Sequence, residues 1–277
     1  MRVKHLFRTA LAGWWNDRCL RMGAALSFYT IFSLMPVLLI AISVAGMVYD
    51  EAAARAAVVA EFRGLIGSGA AAAVDDMLEG AGDFGTGVVS TATGIALFLI
   101  LATGAISELQ DNLHQIWKVD TRASAVTALI RSRLLSLSLV VCIGFLLLVS
   151  LAIDAALAAA TGAMGSRFGA AEIVVSAGNV IVSLCVATVL FALVFKLLPE
   201  FEIAWWDVLV GAFVTALLFQ LGKILIALYI GESGVTSAYG AAGSLVTILL
   251  WVYYSSQILL FGAEFVKAYS QSRQQGL

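Results

Sequence analysis

Apolar positions in this chain fall into long uninterrupted blocks, and the polar positions collect between them. Six blocks stand out, at Met22–Val48, Val88–Ile106, Leu134–Ala160, Ile173–Leu198, Val208–Ile230 and Gly243–Val266. A helix of about 20 residues crosses about 30 Å of hydrocarbon, so each block predicts a membrane-spanning helix. Basic residues precede the first block as they precede a secretory signal, but its apolar run exceeds the roughly 7 to 15 residues of a signal core. It reads as a retained anchor.

The polar stretches predict helices of another kind. Val3, Leu6, Phe7, Ala10, Leu11 and Trp14 recur at helical spacing, with Arg2, Lys4 and Arg8 turned elsewhere. That pattern suits an interfacial helix over residues 1–21, lying flat on the inner leaflet as an anchor. The connection at 50–87 is alanine-rich and carries Val58, Val59, Phe62, Leu65 and Ile66 at helical intervals, which predicts a helix or helix pair on the outer side. Its acids, from Asp50 and Glu51 to Asp83, read as a solvated face ahead of a cation-attracting one. The connection at 107–133 opens with SELQDNLHQIWKV, a helix expected to cap the inner side. No linker rich in Pro, Gly or Ser divides the chain, so residues 1–277 form a single integral membrane domain in this reading. The expected fold class is all-α, polytopic.

Composition agrees with the pattern. Hydrophobic residues make up 61% of the chain and charged residues 12%, where soluble domains carry about 25% charged residues. A soluble fold is excluded on that ground. The net charge of -2 leaves no concentrated basic face for nucleic acid, so neither RNA nor DNA is an expected partner. Cys19, Cys142 and Cys185 lie far apart with no CxxC pair and read as small core residues. With the N-terminus inside, twelve of the 16 Lys and Arg residues fall on the cytoplasmic side, three fall outside, and Lys223 is embedded. The asymmetry places both termini in the cytoplasm.

Lys223 is the main candidate for chemistry, because a lysine within a lipid-embedded helix costs at least about 2.5 kcal/mol unless something offsets it. By depth it meets Asp154 of the third expected span, Asn179 of the fourth and Gln220 one turn away. Two readings stay open: a buried Lys223 to Asp154 ion pair that fixes packing, or a substrate or proton site in an outward-facing cavity. Glu264 falls near the cytoplasmic end of the last span, close in depth to Lys196, and a pairing with Lys196, Arg131 or Arg133 would lock the inner ends. Gly211, Gly240, Gly243 and Gly262 would let backbones approach closely. Glu108, Asp111 and His114 fall within seven residues and read as solvated positions of the cap helix ahead of a cation site. HExxH, GxSxG and Walker-type patterns are absent, so no catalytic set, metal site or cofactor is expected.

The stretches AALSFYTIFSLMP from Ala24, LQDNLHQIW, KLLP and WWD around Lys196 to Asp207, and YGAAGSLVTILLWVYYSSQILLFGAEF near the end resemble, in order, the YihY/BrkB family of bacterial inner-membrane proteins. The resemblance runs through nearly the whole chain. It implies six transmembrane helices with cytoplasmic termini. Members have carried the label ribonuclease BN, which the residues here disfavour, and that of virulence factor. The expected activity is transport or export of a small or amphiphilic solute or lipid, with the bilayer as partner. The alternative is a scaffolding protein that supports envelope integrity. Oligomeric state stays open.

Overall fold

The computed structural model describes residues 2–46, 50–66, 71–72, 74–76, 78–79, 104–119, 169–199, 201–232 and 243–274. Among them all regular structure is helical. The helices are α1 (Arg2–Asn16), α2 (Cys19–Gly46), α3 (Glu51–Ile66), α4 (104–117), α5 (Gly169–Leu197), α6 (Trp205–Glu232) and α7 (Gly243–Gln274). Helical residues also occur between 71 and 79. The expected span Leu134–Ala160 and most of Val88–Ile106 lie outside the described residues.

The expected interfacial helix over 1–21 is two pieces. α1 stops at Asn16, Arg18 takes a left-handed φ of 59°, and α2 begins at Cys19. A non-glycine residue in that conformation costs about 1 kcal/mol, and the backbone recovers part of it, since Asp17 N donates to Gly13 O at 2.8 Å and Arg21 N to Arg18 O at 2.9 Å. α2 then runs through Pro36 without a break in helix. Pro199 comes two residues after the end of α5, where a residue lacking an N–H and clashing with the preceding turn stops a helix from continuing. α7 continues past the expected Val266 to Gln274.

Pairings fix the directions. Gly23 faces Gln257 and Ser27 faces Ser256, while farther along Leu38 and Ile42 join Ile248 and Val252 in one apolar cluster. α2 and α7 are therefore antiparallel. Gly211 meets Val266, Gly262 meets Thr215 and Gly222 meets Tyr254, so α6 and α7 are antiparallel too. A Cβ at Gly211 would overlap the Val266 side chain and one at Gly262 the Thr215 hydroxyl. Small residues here bring two long helices into backbone contact, as they do where lipid removes the hydrophobic drive to associate.

Two apolar clusters mark the two ends. One joins the start of α2 (Cys19, Met22, Leu26), α4 (Leu109, Leu113, Ile116), the end of α5 (Phe195, Leu198), the start of α6 (Val208, Ala212) and the end of α7 (Leu260, Val266). The other joins α2 and α7 to α3 (Ala54, Val59) and to Ala71, Val74 and Leu78. The starts of α2 and α6 and the ends of α5 and α7 share one end of the bundle.

The outer surface is apolar. Leu209, Phe213, Leu217, Leu221 and Leu225 repeat every fourth residue along the exposed side of α6, whereas Ala212, Thr215 and Ala216 face inward. Val180, Ile181 and Val189 of α5 and Leu245 and Leu249 of α7 continue this exposed surface. Water-soluble monomers rarely expose so large a contiguous apolar patch, but hydrocarbon solvates it without penalty. Within the described residues Val180–Leu197, Trp205–Ile226 and Leu245–Gln274 are long and apolar enough to cross a bilayer, and Cys19–Leu34 adds a shorter apolar helix.

Candidate functional site

A polar layer crosses the middle of the bundle. On α6, the Gln220 side-chain amide donates to Ser183 Oγ of α5 at 2.6 Å. Two residues on, the Tyr254 hydroxyl of α7 lies over Gly222, where any Cβ would displace it. Ser256, two residues from Tyr254, lies with its Oγ 3.4 Å from Ser27 Oγ of α2, which itself donates to Gly23 O at 2.5 Å. Steps of two residues are about 3 Å along a helix axis, so these contacts form one layer through α2, α5, α6 and α7.

Lys223 belongs to the edge of this layer, half-buried and engaged by a partner, three residues beyond Gln220 and about 7 Å from the middle of α6 at 1.5 Å per residue. Of the expected cluster, Gln220 and Lys223 share a helix face, Asn179 lies on α5, and Asp154 lies outside the described residues. Ser183, Tyr254, Ser27 and Ser256 escaped the sequence reading. Isolated hydroxyls in apolar helices ordinarily bond the preceding turn, and Ser256 does so too, donating to Val252 O at 2.9 Å.

A second polar group ties α1 to α7. Lys267 Nζ lies 3.2 Å from Asp17 Oδ2 and 3.3 Å from Glu264 Oε2, with Glu264 only 2% exposed. The Glu264 carboxylate lies directly over Gly13 of α1, in space that a Cβ would fill. Ala10 and Trp14 flank that contact, and Phe7 packs on Phe261 and Phe265 with ring centroids 6.1 and 5.2 Å away. Burial pushes the Asp17 carboxyl up, but its hydrogen bond with Glu264 and the Lys267 charge outweigh that, holding it below the ordinary carboxylate value.

The expected lock between Lys196 and Glu264 does not form among the described residues. Lys196, in the last turn of α5, turns into the loop beyond Pro199, donating to Ile203 O at 2.6 Å and lying 5.4 Å from the Trp205 ring centroid. Glu264 is already held by Lys267, one turn along its own helix. Depth alone suggested the wrong partner; Lys267, three residues away, was the signal in the sequence. Arg131 and Arg133 lie outside the described residues. The start of α6 and the end of α7 are joined instead by Arg273, whose Nη1 lies 2.9 Å from Asp207 Oδ1 in the first turn of α6.

Of the three α4 positions expected to be solvated, Asp111 is exposed and Glu108 half-buried, but His114 is buried. Leu109, Leu113 and Ile116 are buried in the core, and so are Gln110, Asn112 and His114. Ser107, Gln110 and His114 share a face at i, i+3 and i+7, each with a partner. Asp111 is exposed while His114, one turn on, is buried. Burial and the neighbouring Asp111 charge raise the Glu108 carboxyl. A left-handed Lys118, φ 56°, ends the helix, with Val119 N bonded to His114 O at 3.1 Å.

Long apolar helices, a lipid-like exterior and small residues between helices define an α-helical membrane protein. The chain belongs to the Virulence factor BrkB family, which matches residues 10–277. A UPF0761 membrane protein of Alcanivorax borkumensis is 28% identical over 275 residues, covering 96% of this chain and 60% of that protein. Others from Rhodospirillum centenum (24% identical; 93% of this chain, 55% of the relative) and Vibrio atlanticus (31%; 66% and 57%) carry the same name. The chain thus spans between half and two thirds of the length of these curated relatives. No solved structure matches it.

Proposed function

We propose that this chain is a six-span transporter or exporter of the bacterial inner membrane, moving a small or amphiphilic solute or lipid, with both termini in the cytoplasm. The polar layer at mid-bundle carries the reading. Ser27, Ser183, Gln220, Lys223, Tyr254 and Ser256 bring hydroxyl, amide and ammonium groups to one depth on four helices, and polar groups at that depth commonly mark a pathway. The twelve-to-three distribution of basic residues supports the orientation, and the family relationship supports the bilayer setting. The reading requires no cofactor, metal or nucleic acid.

The test is flux. Purified full chain in liposomes is offered a broad panel of labelled solutes and lipid analogues, chosen by comparing metabolites of a deletion strain with its parent. Substrate-dependent movement that falls with Lys223→Met at unchanged protein level supports the proposal; no movement across the panel sinks it. The close packing at Gly211 and Gly262 favours a second reading, an envelope scaffold in which the polar layer only fixes helix register. In that case Lys223→Met lowers stability and any phenotype follows protein level alone.

A further inference from the structure

The corner between α1 and α2 sorts its charges. Asp17, its acid, turns inward to Lys267, while Arg18, Arg21, Lys4 and Arg8 are exposed and join no ion pair among the described residues. The helix face that docks on α7 carries Ala10, Gly13, Trp14 and Asp17. Beside it runs a second stripe, Phe7, Leu11 and Trp15, of which Leu11 is 56% and Trp15 69% exposed. At 100° per residue Lys4 falls within that stripe, between Leu11 and Trp15, and Arg8 just beyond Trp15, both turned away from the docking face.

Apolar side chains with long bases among and beyond them match the boundary of a bilayer leaflet, side-chain stems along the acyl chains and charges at the phosphates. The left-handed turn at Arg18 carries the same arrangement around to the start of α2, where exposed Leu20 lies between Arg18 and Arg21. The four bases face no described acid, because the one acid of the corner is neutralised inside. We infer that this corner binds the headgroups of anionic phospholipids in preference to zwitterionic ones, through Lys4, Arg8, Arg18 and Arg21, with Leu11 and Trp15 inserted beside them. The inference is independent of whether the bundle moves a solute.

Trp15 reports on the site. Full chain is reconstituted with increasing fractions of brominated phosphatidylglycerol or brominated phosphatidylcholine, and the quenching of Trp15 is taken as the difference between wild type and Trp15→Phe. The anionic lipid should quench at a fraction lower by on the order of tenfold, given four bases near the surface. The preference should shrink in 0.5 M salt. The variant K4Q/R8Q/R18Q/R21Q should lose it, and K4R/R8K/R18K/R21K should retain it with an unchanged circular dichroism spectrum. Equal quenching by the two lipids overturns the proposal, as does a preference that survives the glutamine variant.

Discussion

Lys267 serves two carboxylates at once, and Asp17 and Glu264 come from opposite ends of the sequence. Lys267→Met leaves both acids without their cation, one of them almost fully buried, and breaking such a pair costs about 3 kcal/mol. The outcome should be release of α1, seen as proteolysis near Asn16 in detergent-solubilised protein that the parent resists. Acid should do the same. The Asp17 carboxyl is depressed in the folded chain, so its contribution is complete above the ordinary value of 3.8 and is lost as pH falls below it through the folded value. Protection of α1 should hold at pH 5 and decline under pH 4, and Asp17→Asn should flatten that profile. Lys223 presents the opposite case in the sequence. Its position within an apolar helix was plain, but Ser183 and Tyr254 were not, because single hydroxyls give no signal until neighbouring helices bring them to one depth.

At the scale of elements, apolar block length alone located α2, α5, α6 and α7 to within a few residues at most ends. The break between the interfacial helix and the first span was expected at 21/22 and falls between Asn16 and Cys19, since Arg18 is not a residue that announces a left-handed turn. The burial of α4 was hidden for a related reason. Gln110, Asn112 and His114 look solvated by composition, and only the helices packed around them decide otherwise. The α6 to α7 contact gives a sharp expectation. Gly262 admits Thr215 and the Phe195 ring, so Gly262→Leu overfills the site and should cost about 2 kcal/mol. Lower thermal stability in detergent would register it, whereas Leu217→Ala on the lipid-facing side of α6 should change little.

For the whole molecule, shared clusters place the start of α2 and the end of α7 together. Cysteines introduced singly at exposed Asn16 and Gln274 should therefore react with an impermeant maleimide from the same side of the membrane, and one at exposed Ala56 of α3 from the other. Labelling of Asn16 and Gln274 sites from opposite sides would contradict the arrangement. The Ser27 to Ser256 contact spans 229 residues of sequence. An emerging chain inserts α2 long before its companion exists, and the two meet only after more than two hundred further residues have been made. Contacts of that sequence separation are slow to form and leave intermediates exposed. A message truncated ahead of Gly243 would leave α2 with its serine face against lipid and α6 with its glycines uncovered, a product that membrane quality control can tell from the finished protein by those faces alone.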